Sequence, residues 1–212
     1  MADLFPLIAA ERRATADFVE RLTDEQCATP SLCAEWTVGE VAAHLTMPLT
    51  LGLPGAILGM LRHRGDFNRF SQRWAAATSE RSTTSSLAAT LRERADARFT
   101  PPGMDAHAPL TDIVVHTLDM RIPLGDTGDG PSPEASSRIL DFLTTKMATR
   151  GFLPKDRIPG LALRATDTGW SSGSGPTVEG PAASLLLALC GRRVGLDQLT
   201  GDGIAELRRR LG

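Results

Sequence analysis

The chain has 212 residues, 42% hydrophobic and 23% charged, a composition that suits a soluble globular protein with its own core. A formal net charge of -2 and a pI near 6.1 argue against a nucleic-acid partner, which a basic excess would signal. The three cysteines, Cys27, Cys33 and Cys190, form no C-x-x-C pair, so neither a disulfide framework nor a thiolate metal site is expected.

From the N-terminus, Met1-Ala2-Asp3-Leu4-Phe5-Pro6 has neither a basic leader nor an apolar segment, so no secretory signal is expected. The first helix is predicted over 7–22, with Leu7, Ile8, Ala14, Phe18 and Leu22 on one stripe. Thr23 opens a turn, and Pro30 interrupts the stretch after it. Thr37 with Glu40 three positions on forms a capping box, preceded by the staple-like Trp36. That helix is expected to end near Pro48. Residues 49–70, apolar and glycine-rich with Pro54 inside, are read as helical, and 68–77 as its continuation. Ser85 or Ser86 caps a helix to about Arg98. Thr100-Pro101-Pro102-Gly103 is a loop.

Leu110 to Arg121 is the next helix, stopped by Pro123. A Gly/Asp/Pro-rich connection spans 126–133, and Pro133 opens a helix to about Thr149 with Ile139, Phe142, Leu143 and Met147 inward. Beyond Gly151 the character changes. Residues 161–166 read as a strand, 167–169 as a turn, Trp170 as the start of a second strand and 177–180 as a short strand or turn. Pro181 to Leu189 is a helix stopped by Gly191. A last helix starts at Asp202 or Gly203 and ends in Arg208-Arg209-Arg210, as the dipole favours. The fold class is mainly α: a helical bundle over 1–150, then a small α/β domain over 151–212. The longest apolar runs, such as 185–190, are too short to span a bilayer. A cytoplasmic protein with no membrane partner is expected.

The chemistry concentrates in His44, Asp112 and His116. Asp112 and His116 are i, i+4 neighbours on one helix face. A histidine from the helix of His44 would complete a three-ligand site with an open position, the arrangement of a catalytic rather than a structural zinc. Bundles build such sites from inward side chains on facing helices. Asp119 is placed to hold a histidine N–H from behind, or to pair with an arginine such as Arg12. Two buried core histidines would account for the same pattern. A His/His/carboxylate set also serves metals other than zinc.

Other patterns carry less. His63 falls in a turn, and His107 lies in the loop before the key helix. Gly169-Trp170-Ser171-Ser172-Gly173 fits G-x-S-x-G, but no helix comes after it as a nucleophile elbow requires. Cys33 lies close to Trp36 in sequence. A metal-dependent hydrolase would need Asp119 or Glu40 as general base. A non-catalytic metal-binding or interaction module should expose an apolar patch, to be sought at Leu49 to Leu61.

Three stretches together resemble one family: Leu32 to Leu45, Asp112 to Arg121, and Gly180 to Arg192. The chain resembles the mycothiol-dependent maleylpyruvate isomerase family of the DinB-like superfamily, whose fold is a four-helix bundle of up-down-down-up type followed by a small α/β domain. The resemblance implies a divalent metal, usually zinc, held by His44, Asp112 and His116. The characterised isomerase pattern has Glu where this chain has Asp112. It implies Arg192 as the arginine near the active site, with Arg193 as the fallback, and mycothiol as the thiol cosubstrate. A metal-bound thiolate would add to an activated double bond of a small electrophilic substrate, the bond would rotate, and the thiol would leave. Other members are expected to use the same site for S-transfer.

Overall fold

The helices follow from their caps. In this computed structural model, which describes residues 3–126, 128 and 130–212, α1 (Phe5–Glu20) starts two residues before its apolar stripe. Pro6 in its first turn has no N–H to leave unsatisfied there. Met1, Ala2, Thr127 and Asp129 lie outside the described residues, and with them part of the expected 126–133 connection. Thr23 opens a short helix, α2 (Asp24–Ala28), through a capping box with Gln26. The Thr37–Glu40 box forms as expected: Glu40 N donates to Thr37 Oγ1 and Thr37 N to Glu40 Oε2. It opens α3 (Val38–Thr50), which runs through Pro48. Thr46 and Thr50 back-bond to Ala43 O and Thr46 O on either side of the proline.

The apolar stretch expected as one helix is two, α4 (Leu53–Arg62) and α5 (Phe67–Ser79). Arg64 and Gly65 both have positive φ, which ends α4. Asp66 then caps α5 by accepting from Arg69 N. α6 (Thr84–Glu93) is capped by Thr83 rather than by Ser85 or Ser86, and stops five residues before Arg98. α7 (His107–Arg121) begins three residues earlier than expected, where Asp105 Oδ1 accepts from His107 N.

Chain contacts define two units, Met1–Pro101 with Asp112–Gly128, and Pro102–Thr111 with Asp129–Gly212. The boundary expected at residue 150 falls inside the second of these. In the first, α1 packs on α6, and α3 packs on both α5 and α6. Thr15 of α1 hydrogen-bonds Thr117 of α7 at 2.7 Å, and the Arg121 guanidinium lies over the Phe18 ring. The core of this unit is Ile8, Ala16, Val19, Val41, Ala43, Leu91 and Met120, all fully buried. Arg12 is buried among them and donates to Ala95 O and Ala97 O, both at 2.8 Å.

In the second unit, α8 (Pro133–Leu143), capped by Ser132, packs on α9 (Ala182–Leu189). The helix expected to reach Thr149 stops at Leu143, and a 3-10 turn covers Ala148–Arg150. A three-stranded sheet, β1 (Ala162–Ala165), β2 (Ser171–Gly173) and β3 (Thr177–Gly180), has the order β2-β1-β3. β1 and β2 form an antiparallel hairpin, and β1 pairs in parallel with β3. Gly173 and Gly175 have positive φ, and a Cβ on either would meet a backbone oxygen of the 160–161 segment. Asp167, in the hairpin turn, accepts from Ala182 N and so caps α9 from a distance in sequence. α10 (Ile204–Leu211) carries Glu206, whose carboxyl is held down to about 2 by hydrogen bonds from Arg209 and Arg210. The protein is therefore mainly α with a small sheet near its C-terminus. Among the described residues no helix is long and apolar enough to cross a membrane.

Candidate metal centre

α3 and α7 bring His44, Asp112 and His116 together inside the first unit. Nε2 of His44 and Nε2 of His116 each lie 3.6 Å from the same atom, Asp112 Oδ1. One ligand atom from each residue falls within 4.8 Å of the others. Zinc bonds of 2.0–2.1 Å set tetrahedral ligand atoms about 3.4 Å apart. The donor set fits a divalent cation, and the two spacings to Asp112 lie close to that separation.

Each imidazole is fixed from behind. His116 Nδ1 lies 3.0 Å from Asp119 Oδ2, and the Asp119 side chain is wholly buried. An ionised carboxylate only accepts, so with Asp119 ionised Nδ1 carries the proton and Nε2 keeps its lone pair for a metal. His44 Nδ1 lies 2.9 Å from the hydroxyl of Ser71 on α5. Ser71 can accept from Nδ1–H, the tautomer that again leaves Nε2 its lone pair. Nothing local to His44 signals Ser71, 27 residues on; only the packing of α5 against α3 does.

Asp112 is the charge of the centre. Burial pushes its carboxyl up, but without a metal the hydrogen bond from a protonated His44 and the charges of protonated His44 and His116 and of Arg12 outweigh this and hold it below the ordinary value. Burial lowers the Arg12 guanidinium in turn, against the pull of Asp112 and Asp96. Arg12 thus acts on Asp112 through the field while its own hydrogen bonds go to backbone carbonyls.

Trp36 has a larger role than a staple. Its ring meets that of His44 edge-on with centroids 4.9 Å apart, and stacks on that of His116 at 6.3 Å and 9°. The loop that carries it closes by a Pro30–Thr37 bridge, and Trp36 N donates to Cys33 O. Leu32 N donates to Asp119 O at 3.0 Å, fastening the loop to α7. The same loop sets Cys33 beside His116 and Asp119, a second cluster with ligand atoms within 4.8 Å.

Other residues singled out in the sequence lie elsewhere. His63 stacks on Phe70. His107 belongs to the second unit, where it meets Asp105 at 3.0 Å and stacks on Phe142. Ser171 sits on β2, and the next element along the chain is strand β3 rather than a helix, so the nucleophile elbow does not form. Arg192 lies in the second unit, with NH1 donating to Cys190 O at 2.7 Å, and the Arg193 guanidinium donates to Gly212 O. Of the bases that a hydrolase would need, Glu40 is engaged in its capping box and Asp119 with His116.

Residues 8–121 match the family model described as the mycothiol maleylpyruvate isomerase N-terminal domain, and residues 131–210 match that of the MDMPI C-terminal domain. Among solved structures the chain is similar to the mycothiol-dependent maleylpyruvate isomerase, at 18% identity and a TM-score of 0.49, over 95% of this chain and 96% of that one. A histidine-to-alanine mutant of that isomerase gives 17% identity and the same TM-score and coverage. No curated protein matches.

Proposed function

Because the chain belongs to the mycothiol maleylpyruvate isomerase family, which it matches over 8–121 and 131–210, we propose that it is a metal-dependent enzyme using mycothiol on a small electrophilic substrate. The reaction is isomerisation or thiol S-transfer. The observation that carries this is the convergence of His44 Nε2 and His116 Nε2 on Asp112 Oδ1, each at 3.6 Å.

His44, Asp112 and His116 would hold the ion, zinc or another divalent metal. When bound, it stabilises a coordinated thiol as thiolate at neutral pH. Ser71 and Asp119 can each accept from Nδ1–H, which aims both Nε2 atoms inward and leaves them available to the ion. Asp112 supplies one negative charge, so a divalent ion plus one thiolate leaves the centre neutral. Aspartate in place of the family's glutamate shortens the reach by one methylene, and the 3.6 Å spacings to both imidazoles support its serving in that place. Trp36 packs against both imidazole rings and helps to fix their orientation. Arg192 keeps the role that the resemblance gives it, a guanidinium for a substrate carboxylate. Arg192→Ala is then expected to raise KM about tenfold or more for a carboxylate-bearing substrate.

Assays for mycothiol-dependent isomerisation and S-transfer test the reading, run before and after chelation and on His116→Ala. Turnover that needs both mycothiol and metal supports it; turnover untouched by chelation overturns it. A second reading, a non-catalytic binding module, draws on the exposure of Ile57, Leu58, Leu61 and Phe67 on α4 and α5. It predicts metal binding with no turnover.

A further inference from the structure

His116 stands between two ligand sets. Its Nε2 faces Asp112, 3.6 Å away, and its Nδ1 faces Asp119, 3.0 Å away. The sulfur of Cys33 comes within 4.8 Å of a nitrogen of His116 and an oxygen of Asp119. Sulfur, imidazole and carboxylate form a softer donor set than two imidazoles and a carboxylate, and it favours thiophilic cations. The loop of Cys33 is tied to α7 through Leu32 N and Asp119 O, so the three donors are held by neighbouring backbone. Cys33 itself is half-buried and within reach of solvent.

We propose that Cys33, His116 and Asp119 form a second metal site, selective for thiophilic divalent cations and exclusive of the first. Exclusion follows from the ring. A neutral imidazole has one lone pair and one N–H. Metal on Nε2 leaves the proton on Nδ1, donated to Asp119. Metal on Nδ1 moves the proton to Nε2, where it meets Asp112 instead. Binding at the second set also releases the Cys33 thiol proton to solvent as the metal–sulfur bond forms. Occupancy of the second set withdraws His116 from the first and leaves His44 and Asp112 alone, so the bound cation weakens metal binding at the first set without touching either. The proposal needs no thiol chemistry at the first set and stands apart from the family reaction.

Cadmium titration of the metal-depleted chain tests this, read by the ultraviolet thiolate-to-cadmium charge-transfer band. The band is expected at one cadmium per chain. It should persist in His44→Ala and Asp112→Asn, which remove only the first set, and vanish in Cys33→Ser and His116→Ala. Circular dichroism confirms that each variant is folded, and Cys33→Ala replaces Cys33→Ser if the latter is not. Zinc at the first set should weaken cadmium binding at least tenfold in wild type, by competition for His116. A band that survives in Cys33→Ser, and so arises from Cys27 or Cys190, overturns the proposal. So does its loss in His44→Ala, or a wild-type chain that binds zinc and cadmium together without competition. Mycothiol-dependent turnover is a separate readout, so either reading can fail without the other.

Discussion

Two buried cations, one in each unit, are treated in opposite ways. Arg12, 3% exposed, has two carbonyl acceptors at 2.8 Å and acts on the half-buried Asp112. Arg157, 7% exposed, has Nε and NH1 buried without a hydrogen-bond partner among the described residues. Burial lowers its guanidinium, with only Asp156 and Cys190 acting the other way. A buried charge is tolerated when its donors are matched, and is a cost when they are not. The first arrangement holds a centre in place, whereas the second weakens the fold around it.

The difference can be broken from its strong side first. Arg12→Ala strands the carbonyls of Ala95 and Ala97 and opens space in the core. It is expected to cost about 3–5 kcal/mol, read by urea unfolding. Asp119→Asn loses the acceptor that fixes His116 and should lower metal affinity by about 10–100-fold, read by competition with a chelator. Ser71→Ala should fall at the lower end of that range, near tenfold, since a hydroxyl is a weaker and neutral partner. A Ser71→Ala effect larger than that of Asp119→Asn would contradict this ranking. From the weak side, Arg157→Met should be neutral or stabilising by about 1–4 kcal/mol, because it removes a charge whose Nε and NH1 have no partner among the described residues. A loss of stability there would mean that Arg157 has a partner in solution.

The smallest expected effect is in acid. Asp112 is held below its unfolded value, so its ion pairs add stability that is complete above that value, about 3.9. This stability is lost as pH falls through the lower folded value. In metal-depleted protein, Asp112→Asn should flatten the acid limb of the stability curve below about pH 4. An unchanged limb would show that the carboxylate is not stabilised by its histidines.

What could be read from the sequence was local. The Thr37–Glu40 box, the i, i+4 pairing of Asp112 with His116 and the reach of Asp119 to His116 all lie within one turn of helix, where spacing dictates contact. Thr23 with Gln26 is the same signature as Thr37 with Glu40, yet α2 is so short that no apolar period announces it. Pro48 reads as a stop, but threonine back-bonding and the burial of α3 carry the helix past it. Asp66 and the positive φ of Arg64 and Gly65 split an apolar run whose hydropathy is continuous. Ser71 behind His44, Trp36 across both imidazoles and Cys33 beside His116 are tertiary facts, since each joins elements whose approach no local pattern fixes. The burial of Arg157 is of the same kind.

On the proposed function, His44, Asp112 and His116 hold one divalent metal. Elemental mass spectrometry of the purified chain, beside the His44→Ala/His116→Ala double variant, tests it most directly. About one zinc or other divalent ion per chain in wild type, the stoichiometry of a single three-ligand site, and none in the variant, is the predicted result. No metal in wild type even after reconstitution, or equal metal in both, would contradict it.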